Sequence, residues 1–377
     1  MRVGTFVLAG QYPGQGHAEA LHRAMRTAEV SEESGLDTVW LGEHHFVPYG
    51  TCPSAITFAA LLLGRTRRIR VGTAVSVLPT LHPVALGEQA ALLHLTAGGR
   101  LSLGVGRGGP WVDLEVFGTG AEAYETGFPE SLELLLRWLR EPRVGAAGER
   151  YSFREVPVVP RASGHPAPAT VPGQGTTPAP AAHAAPAAAT ASAAAPAPEV
   201  LVSCTSPGSV RLAAEHGLPM LLGMHSDDQE KADMVTLWRS HAHAAGRSHE
   251  EIMEAGHVSA GVVQIADRTA DAERILLRAM PEWFRRGLGA HVTVDGRPRP
   301  MRAPGPYTEL LCGLHPVGSP ALCADRLAAT ARHTGITRFA LLAEGSGDLA
   351  TTEENVRRLG AEVLPQLSDA TRPTQPT

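Results

Sequence analysis

Apolar runs of five to nine residues alternate with helix-period stretches eight times along this chain, and that alternation restricts its fold more than any other feature. The predicted strands are 2–8, 37–42, 69–77, 101–106, 199–203, 218–222, 258–265 and 338–343. Predicted helices follow over 18–35, 54–66, 83–95, 127–140, 207–216, 227–245, 269–287, 320–334 and 352–366. Short links between strand and helix force successive strands to run parallel. Eight such units in 377 residues predict a (β/α)8 TIM barrel in a single domain rather than a doubly wound sheet. The chemistry of that architecture sits at the C-terminal ends of the strands.

Two stretches interrupt the alternation. Residues 160–198 hold 16 Ala and 9 Pro among 39 residues, with Val171 the lone aliphatic residue larger than alanine. Such a segment cannot bury enough apolar surface to offset its ordering entropy, so it is expected to be a disordered, low-complexity insertion. Residues 288–318 are rich in Gly and Pro and are expected to be irregular. The net charge of −5 gives no basic footprint, which speaks against nucleic acid. No apolar run reaches the length of a membrane span, and MRVGTFVLAGQYPG reads as a first strand rather than a signal peptide. The four cysteines are far apart with no CxxC pair, which predicts a reduced, cytoplasmic protein without disulfides or a zinc site.

Polar and glycine clusters fall at four strand ends. The second ends in Glu43-His44-His45-Phe46, and the third in Pro79, Thr80 and His82. His44 and His45 are candidates for proton transfer near neutral pH, with His45 expected to pack against the scaffold; a metal pair is the weaker alternative. His82, before Pro83, is expected to be structural. The fourth strand runs into LSLGVGRGGPWVD, where four glycines (Gly104, Gly106, Gly108, Gly109) surround Arg107 and Asp113 follows. Backbone N–H groups unobstructed by Cβ, together with one guanidinium, can grip a phosphate; a tight turn with an exposed arginine is the plainer reading. GVGRGG lacks the spacing and position of a dinucleotide fingerprint. The fifth strand is followed by Thr205, Ser206, Gly208 and Ser209 in TSPGS, ahead of a helix. Hydroxyls and free helix N–H groups suit a phosphate, and Ser206 can cap the helix at the same time.

The stretches GEHHFVPYG (42–50), VGTAVSVLPTLHP (71–83) and GGRLSLGVGRGGPWVDLEVFG (98–118) resemble the bacterial luciferase-like flavin monooxygenases, with the order and spacing of the α subunit. LAAEHGLPM (212–220) and the tail 317–359 continue the likeness, which spans nearly the whole chain outside 160–198. The resemblance implies a (β/α)8 barrel that binds reduced FMN at its C-terminal mouth. It implies reaction with O2 through a flavin 4a-hydroperoxide and insertion of one oxygen atom into a small organic substrate. By position it implies a catalytic role for His44, with His45 and Asp113 beside the ring. Arg107, Ser206 and Ser209 fall on flavin-phosphate positions, Ala74 on backbone lining the ring, and 288–318 on a mobile lid. It further implies a separate NAD(P)H:flavin reductase and a homodimer. Gly106 stands where luciferase carries a reactive cysteine, and Thr205 where it carries an acidic residue. These departures point away from light emission and toward another substrate. A deazaflavin-dependent hydride-transfer enzyme on the same barrel, and a non-catalytic flavin-binding subunit, are the alternatives.

Overall fold

The structure is a computed structural model that describes residues 1–162, 197–297 and 301–369. The insertion expected at 160–198 therefore lies, over 163–196, outside the described residues. Eight strands form the barrel: β1 (Arg2–Val7), β2 (Thr38–Leu41), β3 (Arg70–Thr73), β4 (Leu101–Gly106), β5 (Glu199–Cys204), β6 (Met220–Leu222), β7 (Val258–Val262) and β8 (Arg338–Leu342). Each pairs in parallel with the next, and β8 pairs with β1, so the sheet closes into the expected (β/α)8 barrel.

Two apolar layers hold the barrel. Strand residues such as Val39, Val71, Leu103 and Val202 pack outward against helix residues including Ala24, Leu62, Leu135 and Trp238. Alternate residues, among them Phe6, Trp40, Leu201, Leu221 and Ala340, point inward and form a second cluster with Trp283 and Phe284. Small residues are needed where strands approach closely: a Cβ on Gly104 would stand 2.1 Å from the Thr73 carbonyl oxygen. The bottom of the barrel is closed by Arg338, whose guanidinium meets both Glu199 carboxylate oxygens at 2.5 and 2.9 Å. The seam between first and last strands carries a second buried ion pair. Glu344 Oε1 accepts from the Leu8 N–H at 2.7 Å, and its Oε2 lies 3.6 Å from Arg23 Nε. Arg23 also donates to the carbonyls of Gly10 and Gly347.

The structure departs from the sequence reading in several places. The strand expected over 69–77 is two pieces, β3 and Ser76–Val77, broken at Ala74-Val75, whose peptide bond is cis. The strand expected over 258–265 is likewise two: β7, and Gln264–Ile265 paired with Val317–Gly318. A hairpin of Arg143–Ala147 and Ser152–Pro157, unforeseen, follows the helix Phe128–Arg140. Finally, 288–318 is not irregular throughout, because Pro304–Leu314 is a helix. Its Pro304 sits at the first helical position, where a missing N–H costs nothing. Among the described residues, no helix is long and apolar enough to cross a membrane.

Candidate active site

Four strand ends build the site, and one carboxylate ties two of them together. Glu43, just past β2, is buried. Its Oε2 accepts the Ala55 N–H at 2.8 Å, at the start of the helix Ala55–Arg65, and its Oε1 accepts the Val77 N–H at 2.9 Å. A helix N-terminus leaves such N–H groups without intrahelical partners, and a carboxylate complements the dipole there. Glu43 thus ties the end of β2 to the next helix and to the segment after β3. His44 and His45 follow on this anchor. His44 donates its backbone N–H to the Cys52 carbonyl at 3.0 Å, and its ring meets Tyr49 edge-on at 4.8 Å. His45 Nε2 lies 3.6 Å from Glu43 Oε1, and its ring stands edge-on to Phe117 at 5.0 Å. His82 is structural as expected: it caps the helix Pro83–Thr96 by accepting the Val84 N–H at 3.2 Å.

The turn after β4 supplies the opposite edge. Gly106 packs behind Val75: a Cβ there would stand 2.6 Å from Val75 Cγ2. The Arg107 guanidinium lies 4.2 Å from the centre of the Tyr124 ring. Asp113 is 5 % exposed, and its Oδ1 accepts the Leu114 N–H at 2.9 Å. Burial pushes the Asp113 carboxyl above its ordinary value, against the smaller opposing pull of that N–H and of nearby His45. After β5, Ser206 caps the helix Pro207–Glu215, its hydroxyl accepting from the Ser209 N–H at 3.4 Å. Ser209 reciprocates, taking the backbone N–H groups of Thr205 and Ser206 at 3.2 Å each. Because Val105 pairs with Val202, the turns bearing Arg107 and Ser206 leave neighbouring strands at the same end of the barrel.

These ends enclose a cavity of about 340 Å³. His44, His45, Ala74, Asp113 and Thr205 line it. Gly106 backs it through Val75, whereas Arg107, Ser206, Gly208 and Ser209 lie outside its wall, in the two adjoining turns. The sequence reading gave no role to several groups that belong here: Glu43, Tyr49, Trp111, His225, His291 and Tyr307. His291 is 6 % exposed and sits 4.8 Å from the Trp111 ring and 6.3 Å from that of His44. It is held there by an antiparallel bridge. The Val112 N–H donates to the Val292 carbonyl and the Val294 N–H to the Pro110 carbonyl, each at 2.9 Å. Residues 288–307 thus supply Leu288, His291 and Tyr307 to the wall. Among the described residues, no group of three or more His, Cys, Asp or Glu is placed to hold a metal ion.

The family model described as luciferase-like monooxygenase matches residues 1–338. The chain belongs to the luciferase-like monooxygenase family. It is thereby a flavin-dependent monooxygenase by class. The alkanal monooxygenase alpha chain of Photorhabdus luminescens is 26% identical over 386 residues, covering 98% of each chain. Among solved structures, the monooxygenase RslO1 from Streptomyces bottropensis superposes with a TM-score of 0.75 at 22% identity, over 97% of this chain and 99% of that one. The oxygenating constituent of 3,6-diketocamphane monooxygenase from the CAM plasmid of Pseudomonas putida, in complex with FMN, gives 0.70 at 19% identity, over 97% and 98%. An F420-dependent secondary alcohol dehydrogenase bound to an F420-acetone adduct gives 0.67 at 14% identity, over 97% and 98%. The barrel is therefore shared by oxygen-inserting and deazaflavin enzymes.

The residues present fit a flavin mononucleotide in this luciferase-like barrel. The cavity is walled by apolar side chains such as Leu8, Val75, Leu221 and Met224, as a planar ring system requires. In the adjoining turns lie the N-terminus of the helix Pro207–Glu215 and Arg107, groups of the kind that can take a phosphate.

Proposed function

We propose that this chain is a reduced-FMN-dependent monooxygenase that inserts one atom of O2 into a small organic substrate. Reduced FMN, when bound, activates O2; every other requirement falls on the protein. Arg107, Ser206, Ser209, Thr205 and Gly208 hold the phosphate end in the turns after β4 and β5. The Ala74 backbone and Val75, kept in place by the absence of a side chain on Gly106, support the ring. His44 holds or delivers a proton at its imidazole nitrogen, facing the ring and substrate. His45 and Asp113 sit beside it, and burial holds the Asp113 carboxyl above its ordinary value. Leu288, His291 and Tyr307 come from the segment that acts as the lid and exclude water from the cavity. A separate NAD(P)H:flavin reductase supplies the reduced cofactor, and the enzyme works as a homodimer.

One observation carries this reading: His44 and Asp113 share one cavity whose rim is formed by the arginine and hydroxyl turns of adjacent strands. The test is oxygen consumption with reduced FMN and, separately, with a reduced deazaflavin. FMN-dependent uptake above the free-flavin rate supports oxygen insertion. Turnover with the deazaflavin alone, without O2, would favour the hydride-transfer reading that the F420-binding neighbour represents. Tight FMN binding with no turnover on any substrate would favour a non-catalytic subunit.

A further inference from the structure

We infer that the molecule oxidised here is uncharged and carries a flat ring system; this rests on the flavin reading above. Among the described residues, the cavity wall contains no lysine and no arginine. Its ionisable groups are the carboxyls of Glu43 and Asp113, two tyrosines and four imidazoles, those of His44, His45, His225 and His291.

The described cations on neighbouring elements lie outside this wall, and Arg107 is the one that the flavin reading gives to the cofactor phosphate. Arg107 lies over Tyr124, and Arg23 is buried against Glu344. Arg302 is exposed and stacks 5.5 Å from the ring centre of Tyr307. Lys231 comes up behind β7, where its buried ammonium donates to the Ala260 carbonyl at 3.2 Å. Ala260 is in the wall, yet the lysine is not, so its charge is spent on the backbone. A carboxylate or sulfonate entering this cavity would lose its hydration with no lysine or arginine among the described wall residues to replace it, and beside two carboxyl groups.

The shape of the wall adds the second half. If the ring of the cofactor rests on Ala74 and Val75, the substrate faces β6 to β8. That part of the wall holds Met224, Ala260 and Leu288 together with the aromatic side chains of Trp111, His291 and Tyr307. Flat aromatic surfaces favour flat partners beyond the area they bury.

The test is calorimetric titration of the full chain at pH 8, where unperturbed imidazoles are neutral, with and without saturating FMN. The probes are 2-naphthamide, 2-naphthoate and octanamide. The expected result is that naphthamide binds at least about 30-fold more tightly than naphthoate and at least about 10-fold more tightly than octanamide. Equal or inverted affinities for the first pair, or no binding of either, overturn the charge rule. Octanamide matching naphthamide overturns the ring rule. Should FMN fail to bind while flavin-free protein still discriminates between the naphthyl probes, the flavin reading falls and the charge rule stands. Met224→Lys, which places a cation in the wall, should bring naphthoate to within about threefold of naphthamide or better. A melting curve checks that this variant is folded.

Discussion

Gly50→Ala tests whether the position of His44 matters more than its presence. Gly50 is buried beside the loop that carries the imidazole. A Cβ there would stand 2.6 Å from the Leu8 carbonyl oxygen and 2.8 Å from His44 Nδ1. Ordinary heavy-atom contact is about 3.5 Å, so the new methyl overlaps the ring by about 0.7 Å and the carbonyl by about 0.9 Å. Leu8 cannot yield easily, because its own N–H is bound by buried Glu344 at 2.7 Å. The imidazole must therefore move, and overpacking of this kind costs about 1–3 kcal/mol of stability. A displacement approaching 1 Å at a reacting group costs up to about 100-fold in rate. The expected outcome is a protein that still folds and binds FMN with near-normal affinity. Its product yield per O2 consumed should fall about 10- to 100-fold, with the balance released as hydrogen peroxide. The assay is parallel measurement of oxygen uptake, product and peroxide, with His44→Ala as the reference. Wild-type coupling in Gly50→Ala, with a urea midpoint shift proving the overlap real, would refute the argument that the geometry of His44 controls the reaction.

Three other outcomes are expected. Arg107→Ala should weaken FMN about 10- to 100-fold by fluorescence titration and leave riboflavin within about twofold, because the proposed function gives this side chain the phosphate. Glu43→Gln should cost about 1–3 kcal/mol in urea unfolding, since an amide oxygen can accept only one of the two buried N–H groups with the carboxylate's geometry. His257 and His315 are buried, and burial holds each down to about 3 from 6.5, so the unfolded chain binds more protons between those values. Stability should be full above about pH 6.5 and fall on acidification toward pH 3, by up to about 1.4 kcal/mol per pH unit for each histidine. His257→Asn should flatten that slope in urea midpoints measured from pH 8 to pH 5, and an unchanged slope would exclude this histidine as its source.

The barrel was legible because its signal is repetitive: an inward residue such as Phe6 or Leu201 alternates with an outward one, and each run stops at a polar turn. The paired histidines and the arginine turn were legible because they sit where those runs stop. Other parts of the site carry no local signal. His291 reaches the cavity through backbone pairing with 110–112, more than 170 residues earlier in the chain, and pairing of that kind leaves no mark in either segment. Glu43 looked like one more polar residue in a polar cluster, since its two N–H partners belong to Ala55 and Val77. The helix Pro304–Leu314 was hidden by its prolines and glycines, which read as breakers although the first of them starts the helix. The hairpin after residue 140 was missed for the opposite reason, as its outward faces are exposed and its apolar content is low. The break at Ala74-Val75 falls inside a stretch, 69–77, that reads as one continuous strand, with no turn residue at the break to mark it.

The way the sheet closes sets the order in which this molecule can be completed. β1 is flanked by β2 and by β8, and the turn after β1 is fastened by Glu344. A nascent chain released up to residue 330 would possess both histidines and the arginine turn yet have a ring with one stave missing, its inner face open to water. Competence to bind a cofactor should therefore switch on late and abruptly as the final strand emerges, rather than accumulate with chain length.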